Sequence, residues 1–162
     1  MYTLRCTQKL LRSGVRETAD PLGPPTTVLG DWYANVLFCR PQRLAVCVSD
    51  VTLLPVVLPA SPAATLPERL PQALAELLLA IGVAPQAVRA EVERMQPCTV
   101  GRTASRRILG SLNGYMAMLE HILKRAPRRP DSPLGLSLWL AETPSLVLEG
   151  TFPVDVTRAR LG

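Results

Sequence analysis

The stretch TASRRILGSLNGYMAMLEHILK, from Thr103 to Lys124, carries the cleanest helical pattern in the chain. Ile108, Leu112, Tyr115, Leu119 and Ile122 recur at steps of four, three, four and three. That is the spacing of an amphipathic helix with one face turned to a core. Leu109, Met116 and Leu123 widen the face, and a neighbouring stripe holds Arg106, Gly110, Asn113, Ala117 and His121. Gly110 and Gly114 each cost up to ~1 kcal/mol inside a helix, which we read as room for close approach by another backbone. Thr103 or Ser105 can cap the start, Pro127 stops the helix, and Lys124 and Arg125 suit its negative end.

Upstream of this helix lies the strongest β signal, Asp31 to Ser49. Trp32, Ala34, Val36 and Phe38 form one apolar face, and Tyr33, Asn35, Leu37 and Cys39 form a partly polar one. A turn at Arg40, Pro41 and Gln42 leads to Leu44, Val46 and Val48. The pattern predicts an antiparallel hairpin with Phe38 near Leu44 and Val36 near Val46. Thr52 to Leu58 reads as a third strand, with Pro55 marking an edge or a bulge because it cannot donate to a ladder. Tyr2 to Cys6 alternates and predicts a first strand, followed by a Thr7-capped helical segment from Gln8 to Arg12.

Ser13 to Thr27, rich in Pro and Gly, reads as a surface loop. Thr65 is placed to cap a helix with the stripe Leu70, Ala73, Leu74, Leu77, Leu78 and Ile81, ended by Gly82. A shorter helix starts near Pro85, with Val88 and Val92 inward. Pro97 to Val100 reads as a short strand. Beyond the long helix, Arg125 to Pro133 is a basic, proline-rich loop. The alternating Leu136, Leu138 and Leu140 predict a strand over Leu136 to Ala141, and Leu146 to Leu148 predicts another. The expected architecture is a single α+β domain over 1–162: a mainly antiparallel sheet, hairpin 31–49 plus strand 52–58, packed against about three helices.

With 162 residues and 48% hydrophobic content, the chain is long enough for a real core. Its net charge of +5 permits an anionic partner. No apolar run reaches the length of a membrane span, and MYTLRCTQKLLRSG lacks the features of a signal peptide, so a cytoplasmic protein is expected. Cys6, Cys39, Cys47 and Cys98 show no metal-binding spacing, and His121 is the single histidine. Neither a metal nor a cofactor is therefore expected, and the thiols are expected to be buried and reduced.

Three blocks, LRCTQKLL (Leu4 to Leu11), LGDWYANVL (Leu29 to Leu37) with TLLPVVLPA (Thr52 to Ala60), and Thr103 to Gly114 ending in GSLNG, resemble a bacterial family of small proteins with no assigned function. The resemblance implies a bacterial, cytoplasmic setting and supplies no reaction. In the helix block this chain has Ser105, Arg107 and Gly114 where the family pattern has asparagine, serine and aspartate.

Two stretches are candidates for chemistry. Arg102, Arg106 and Arg107 stand at the start of the long helix, where free N–H groups and the helix dipole favour a phosphate or carboxylate. Alternatively these arginines pair with Glu91, Glu93 or Asp31. No nucleotide-binding glycine motif is present. Asp31, Tyr33 and Asn35 share one strand face and can position a ligand, with Asp31 a candidate base. Alternatively Asp31 closes the turn after Gly30 and Asn35 bonds a neighbouring loop. Asn113 joins the set if the helix lies over this strand.

A Cys–His121 nucleophile is disfavoured because no cysteine is adjacent to the histidine in sequence. No aromatic residue interleaves with the basic loop Arg125 to Arg129, which argues against specific nucleic-acid binding. The expectation is a non-catalytic binding module for an anionic small molecule or protein. The alternatives are an enzyme acting on a phosphate- or carboxylate-bearing substrate, and a homodimeric interaction module using an exposed sheet edge.

Overall fold

A computed structural model describes residues 1–19, 22–125 and 130–162. In chain order the elements are β1 (Tyr2–Cys6), α1 (Gln8–Arg12), β2 (Trp32–Cys39), β3 (Gln42–Ser49), β4 (Pro55–Pro59), α2 (Leu66–Ala80), α3 (Pro85–Arg94), β5 (Cys98–Arg102), α4 (Arg106–Arg125), α5 (Pro133–Ala141) and α6 (Pro153–Leu161), with short 3₁₀ turns at Ala63–Thr65 and Leu146–Leu148. The class is α+β.

The sheet is mixed rather than mainly antiparallel. Its order is β4-β3-β2-β1-β5, and β1 runs parallel to both of its neighbours. Among the described residues six helices stand where about three were expected. Both faces of the sheet are covered. Trp32, Ala34, Val36, Ala45, Cys47 and Val56 face α2, whose Leu66, Leu70, Leu74, Leu77 and Leu78 are buried. Tyr33, Leu37, Leu44, Val46, Val48 and Val57 face α4 and α5. The predicted α4 stripe, Ile108 through Ile122, is buried as its spacing requires.

The hairpin register differs from the expected one by a residue. Leu37 lies opposite Leu44, Val36 opposite Ala45 and Phe38 opposite Arg43. Cys39 pairs with Gln42, so the turn is the two residues Arg40 and Pro41, not three. A slip of one residue exchanges the two faces of a strand. Leu44, Val46 and Val48 thus share a face with Tyr33 rather than with Trp32.

Leu136 to Ala141 is helix, not strand. Ser132 Oγ accepts from Gly135 N at 3.0 Å and Pro133 occupies the first turn, a regular helix start. Leu146 to Leu148 is a 3₁₀ turn, and the tail forms α6. Ser105, not Thr103, caps α4, with its Oγ accepting from Ile108 N at 3.3 Å. Thr65 makes no capping bond to α2. Instead its hydroxyl accepts from Arg69 Nε at 3.0 Å. Pro127, expected to stop α4, and part of the basic loop, 126–129, lie outside the described residues.

Each sheet edge is closed at its middle residue. On β4, Pro55 and Pro59 have no N–H, and the Val57 N–H between them is taken by Ser137 Oγ of α5 at 2.7 Å. On β5, Val100 N donates to Thr18 Oγ1 at 2.8 Å, and Val100 O accepts from Thr18 N at 2.9 Å. Proline and side-chain hydroxyls thus block the ladder groups through which edges add strands.

No other backbone approaches Gly110 or Gly114 among the described residues. A Cβ at either would meet nothing within 4 Å. Gly110→Ala and Gly114→Ala are each expected to stabilise the protein by about 0.5–1 kcal/mol, through helix propensity and a less free unfolded chain. The midpoint of urea unfolding reads this out.

Candidate functional site

The parallel pairing of β1 with β2 sets Arg5 beside Tyr33 on the α4 side of the sheet. Asp31 lies on the same face, one residue before β2. Its Oδ1 accepts from Thr3 N at 2.8 Å and its Oδ2 is 3.5 Å from Arg5 Nε. Arg5 continues outward, donating from Nη1 to the Arg102 carbonyl at 3.3 Å. Tyr33 Oη accepts from Ser105 N at 3.1 Å. The start of α4 is thereby tied to β2 through Tyr33, and Arg5 of β1 links Asp31 to the end of β5 just before it, so the strand stretch and the helix stretch meet.

Not all the predicted residues are free there. Arg102 is exposed and pairs with Glu17 at 2.9 Å. Arg106 and Arg107 are exposed, with no carboxylate partner among the described residues. Of the internal partners considered for them, Glu91 accepts from Val28 N and Leu29 N, Asp31 holds Arg5, and Glu93 is exposed on α3 without an ion pair to either arginine. Asn113 is exposed on the same stripe as Arg106, seven residues on and so roughly 10 Å along the helix. Asn35 is committed elsewhere, its Oδ1 accepting from Thr7 Oγ1 at 2.7 Å and Val36 N at 2.8 Å. It fixes the junction of β2 with the cap of α1.

Asp50 completes the cluster. Its Oδ1 accepts from Asp31 N at 3.0 Å. Burial, then the neighbouring Asp31 carboxylate, raises its carboxyl to about 6, against the opposing pull of the Asp31 N–H and of Arg5. The folded state therefore holds this proton more tightly than the unfolded chain. The resulting stabilisation is complete below about pH 4 and is lost as pH rises through about 6. Asp50→Asn keeps the acceptor and removes the charge. It is expected to add about 1 kcal/mol at neutral pH, after allowance for partial exposure, and almost nothing at about pH 4. Thermal melts across that range check it.

No sequence pattern singles out Arg5 or Asp50. The alternation of Tyr2 to Cys6 does place Thr3 and Arg5 together on one face, but only the parallel pairing reveals what they face. Asp50 reads as an ordinary turn residue.

Cys6 and Cys47 are buried as expected while Cys39 and Cys98 are only partly so, and Cys6, Cys47 and Cys98 are poor nucleophiles. Burial pushes Cys6 up to about 12 and raises Cys47 and Cys98. His121 is exposed on α4, while Cys6 and Cys47 belong to the core on the opposite face of the sheet. Among the described residues, no group of three metal-ligating side chains is gathered and no helix is long and apolar enough to cross a membrane.

No curated protein and no solved structure matches the chain. A family model described as a domain of unknown function, DUF6933, matches residues 3–156. That span takes in β1 from Thr3 on, the hairpin, α4 and every residue of the Arg5–Asp31–Tyr33 cluster, and the chain belongs to the DUF6933 family.

Proposed function

We propose that the protein is a cytoplasmic, non-catalytic binding module that takes an anionic group at the start of α4. The carrying observation is the pair Arg106 and Arg107: exposed, without a carboxylate partner among the described residues, and on the first turn of a twenty-residue helix. The N–H groups of that turn and the helix dipole add to their attraction for an anion. Asn113, farther along the stripe, is placed to add a neutral hydrogen bond, and Tyr33 holds the turn through Ser105 N. Asp31 supports binding over catalysis, because both of its oxygens are engaged. The four free cysteines suit a reducing compartment.

The test is calorimetric titration with inorganic phosphate and pyrophosphate at low ionic strength. The Arg106→Ala/Arg107→Ala protein is expected to lose about tenfold or more in affinity, with its melting temperature unchanged. Added salt is expected to weaken binding by the parent. Equal affinity of parent and variant would overturn the reading.

A further inference from the structure

At the far end of α4 the fold assembles a second basic surface from separate segments. Phe38, near the end of β2, is 48% exposed. Lys9 Nζ of α1 lies 5.1 Å from its ring centroid, and the Arg43 guanidinium of β3 lies 5.5 Å from it. Phe38, Arg40, Pro41, Gln42 and Arg43 line a concavity of about 390 Å³. Lys9, Arg40 and Arg43 have no carboxylate partner among the described residues. Glu120, which feels Lys9, is bonded to Lys124 at 2.6 Å.

Three uncompensated cations around one accessible ring call for an anion that also carries a flat face. Cation–π contacts at exposed sites are worth only about 0.5–1 kcal/mol, so the two cations can swing aside and free the ring. A membrane surface needs a broader apolar face than one ring supplies. An acidic protein segment would use the cations and leave the ring without a role. Single-stranded nucleic acid uses both, stacking a base and placing its phosphates on the flanking charges. The basic loop Arg125 to Arg129 lacks an interleaved aromatic, whereas here Lys9, Phe38 and Arg43 come together from three different elements.

We propose that the β2–β3 tip binds single-stranded nucleic acid, with a base stacked on Phe38 and the adjoining phosphates held by Lys9, Arg40 and Arg43. The site shares no residue with the α4 start: Phe38 lies five residues along β2, about 17 Å of strand, from Tyr33, which holds that start.

Fluorescence polarisation of labelled oligothymidylate and oligouridylate with the intact chain tests this. The logarithm of affinity is expected to fall with the logarithm of salt at a slope of about −2, as three phosphate contacts to a single strand require. Arg40→Gln/Arg43→Gln is expected to flatten that slope to about −0.7. Phe38→Ala and Phe38→Leu are each expected to weaken binding about tenfold at fixed salt. The leucine variant keeps an apolar side chain, so its loss reports the ring rather than the fold. Arg106→Ala/Arg107→Ala is expected to bind the oligonucleotides as the parent does, which separates this proposal from phosphate capture at the α4 start. No polarisation change at about 50 mM salt, or equal affinity of the Phe38 variants and the parent, would overturn it. So would co-sedimentation with phosphatidylserine vesicles in place of oligonucleotide binding.

Discussion

Glu91→Ala is expected to lower the unfolding free energy by about 3 kcal/mol, a large share of what holds a domain of this size together. Glu91 sits on α3 with no exposed surface. Its Oε2 accepts from Val28 N and its Oε1 from Leu29 N, both at 2.9 Å. These two bonds fasten the approach to β2 onto α3. Removing the carboxylate strands two amide donors in a place built to exclude water, at about 1–3 kcal/mol each, and relief from burying a charge offsets part of the loss. Glu91→Gln retains one acceptor oxygen and is expected to lose about half as much. Glu91→Leu fills the space without an acceptor and is expected to lose at least as much as alanine. Urea unfolding gives the order, and faster hydrogen exchange at the Val28 and Leu29 amides locates the damage. Equal stability of the parent and the alanine variant would contradict this account of the contact.

Gly30→Ala is the second large effect, also about 3 kcal/mol. Gly30 has φ +74°, and a Cβ there would lie 2.1 Å from Asp50 Oδ1 and 2.7 Å from Val51 Cγ2. The left-handed backbone alone costs a non-glycine residue about 1 kcal/mol or more. The larger part comes from expelling the Asp50 carboxylate, which leaves Asp31 N unsatisfied. The two substitutions should therefore be non-additive. In an Asp50→Ala background Gly30→Ala is expected to cost about 1–2 kcal/mol less, because the carboxylate it would displace is already gone. Simple additivity in denaturant titrations would show that Asp50 is not the obstacle.

Elements with one buried side were legible from the residues alone. The α4 and α2 stripes work because each helix has a single apolar face and a solvated back. The hairpin register was not legible, because helices cover both faces of the sheet. With Trp32, Ala34 and Val36 buried on one side and Tyr33, Leu37 and Val46 on the other, alternation cannot say which set pairs with which. Turn length decides it, and the Arg-Pro pair is compatible with two- or three-residue turns. The leucines of α5 misled for a related reason. Leu136 and Leu140 enter one core while Leu134 and Leu138 pack against the other. A helix wedged between two apolar surfaces shows no stripe and can mimic a strand's period. Ser132 and Pro133 were the better signal. At the candidate site, strand alternation places Asp31 and Tyr33 together and capping chemistry marks the start of α4. Arg5 requires knowing that β1 lies parallel beside β2, which no local pattern encodes.

The position of β1 within the sheet also bears on how the chain reaches its fold. Tyr2–Cys6 are flanked on one side by Trp32–Ala34 and on the other by Cys98–Arg102. Contacts this distant in sequence slow folding, since long loops must close before either ladder forms. Until Cys98–Arg102 have been synthesised, Tyr2, Leu4 and Cys6 have nothing to pair with on the second side. The nascent chain thus carries an apolar strand in waiting, and the hairpin that follows it is the natural first scaffold for the rest.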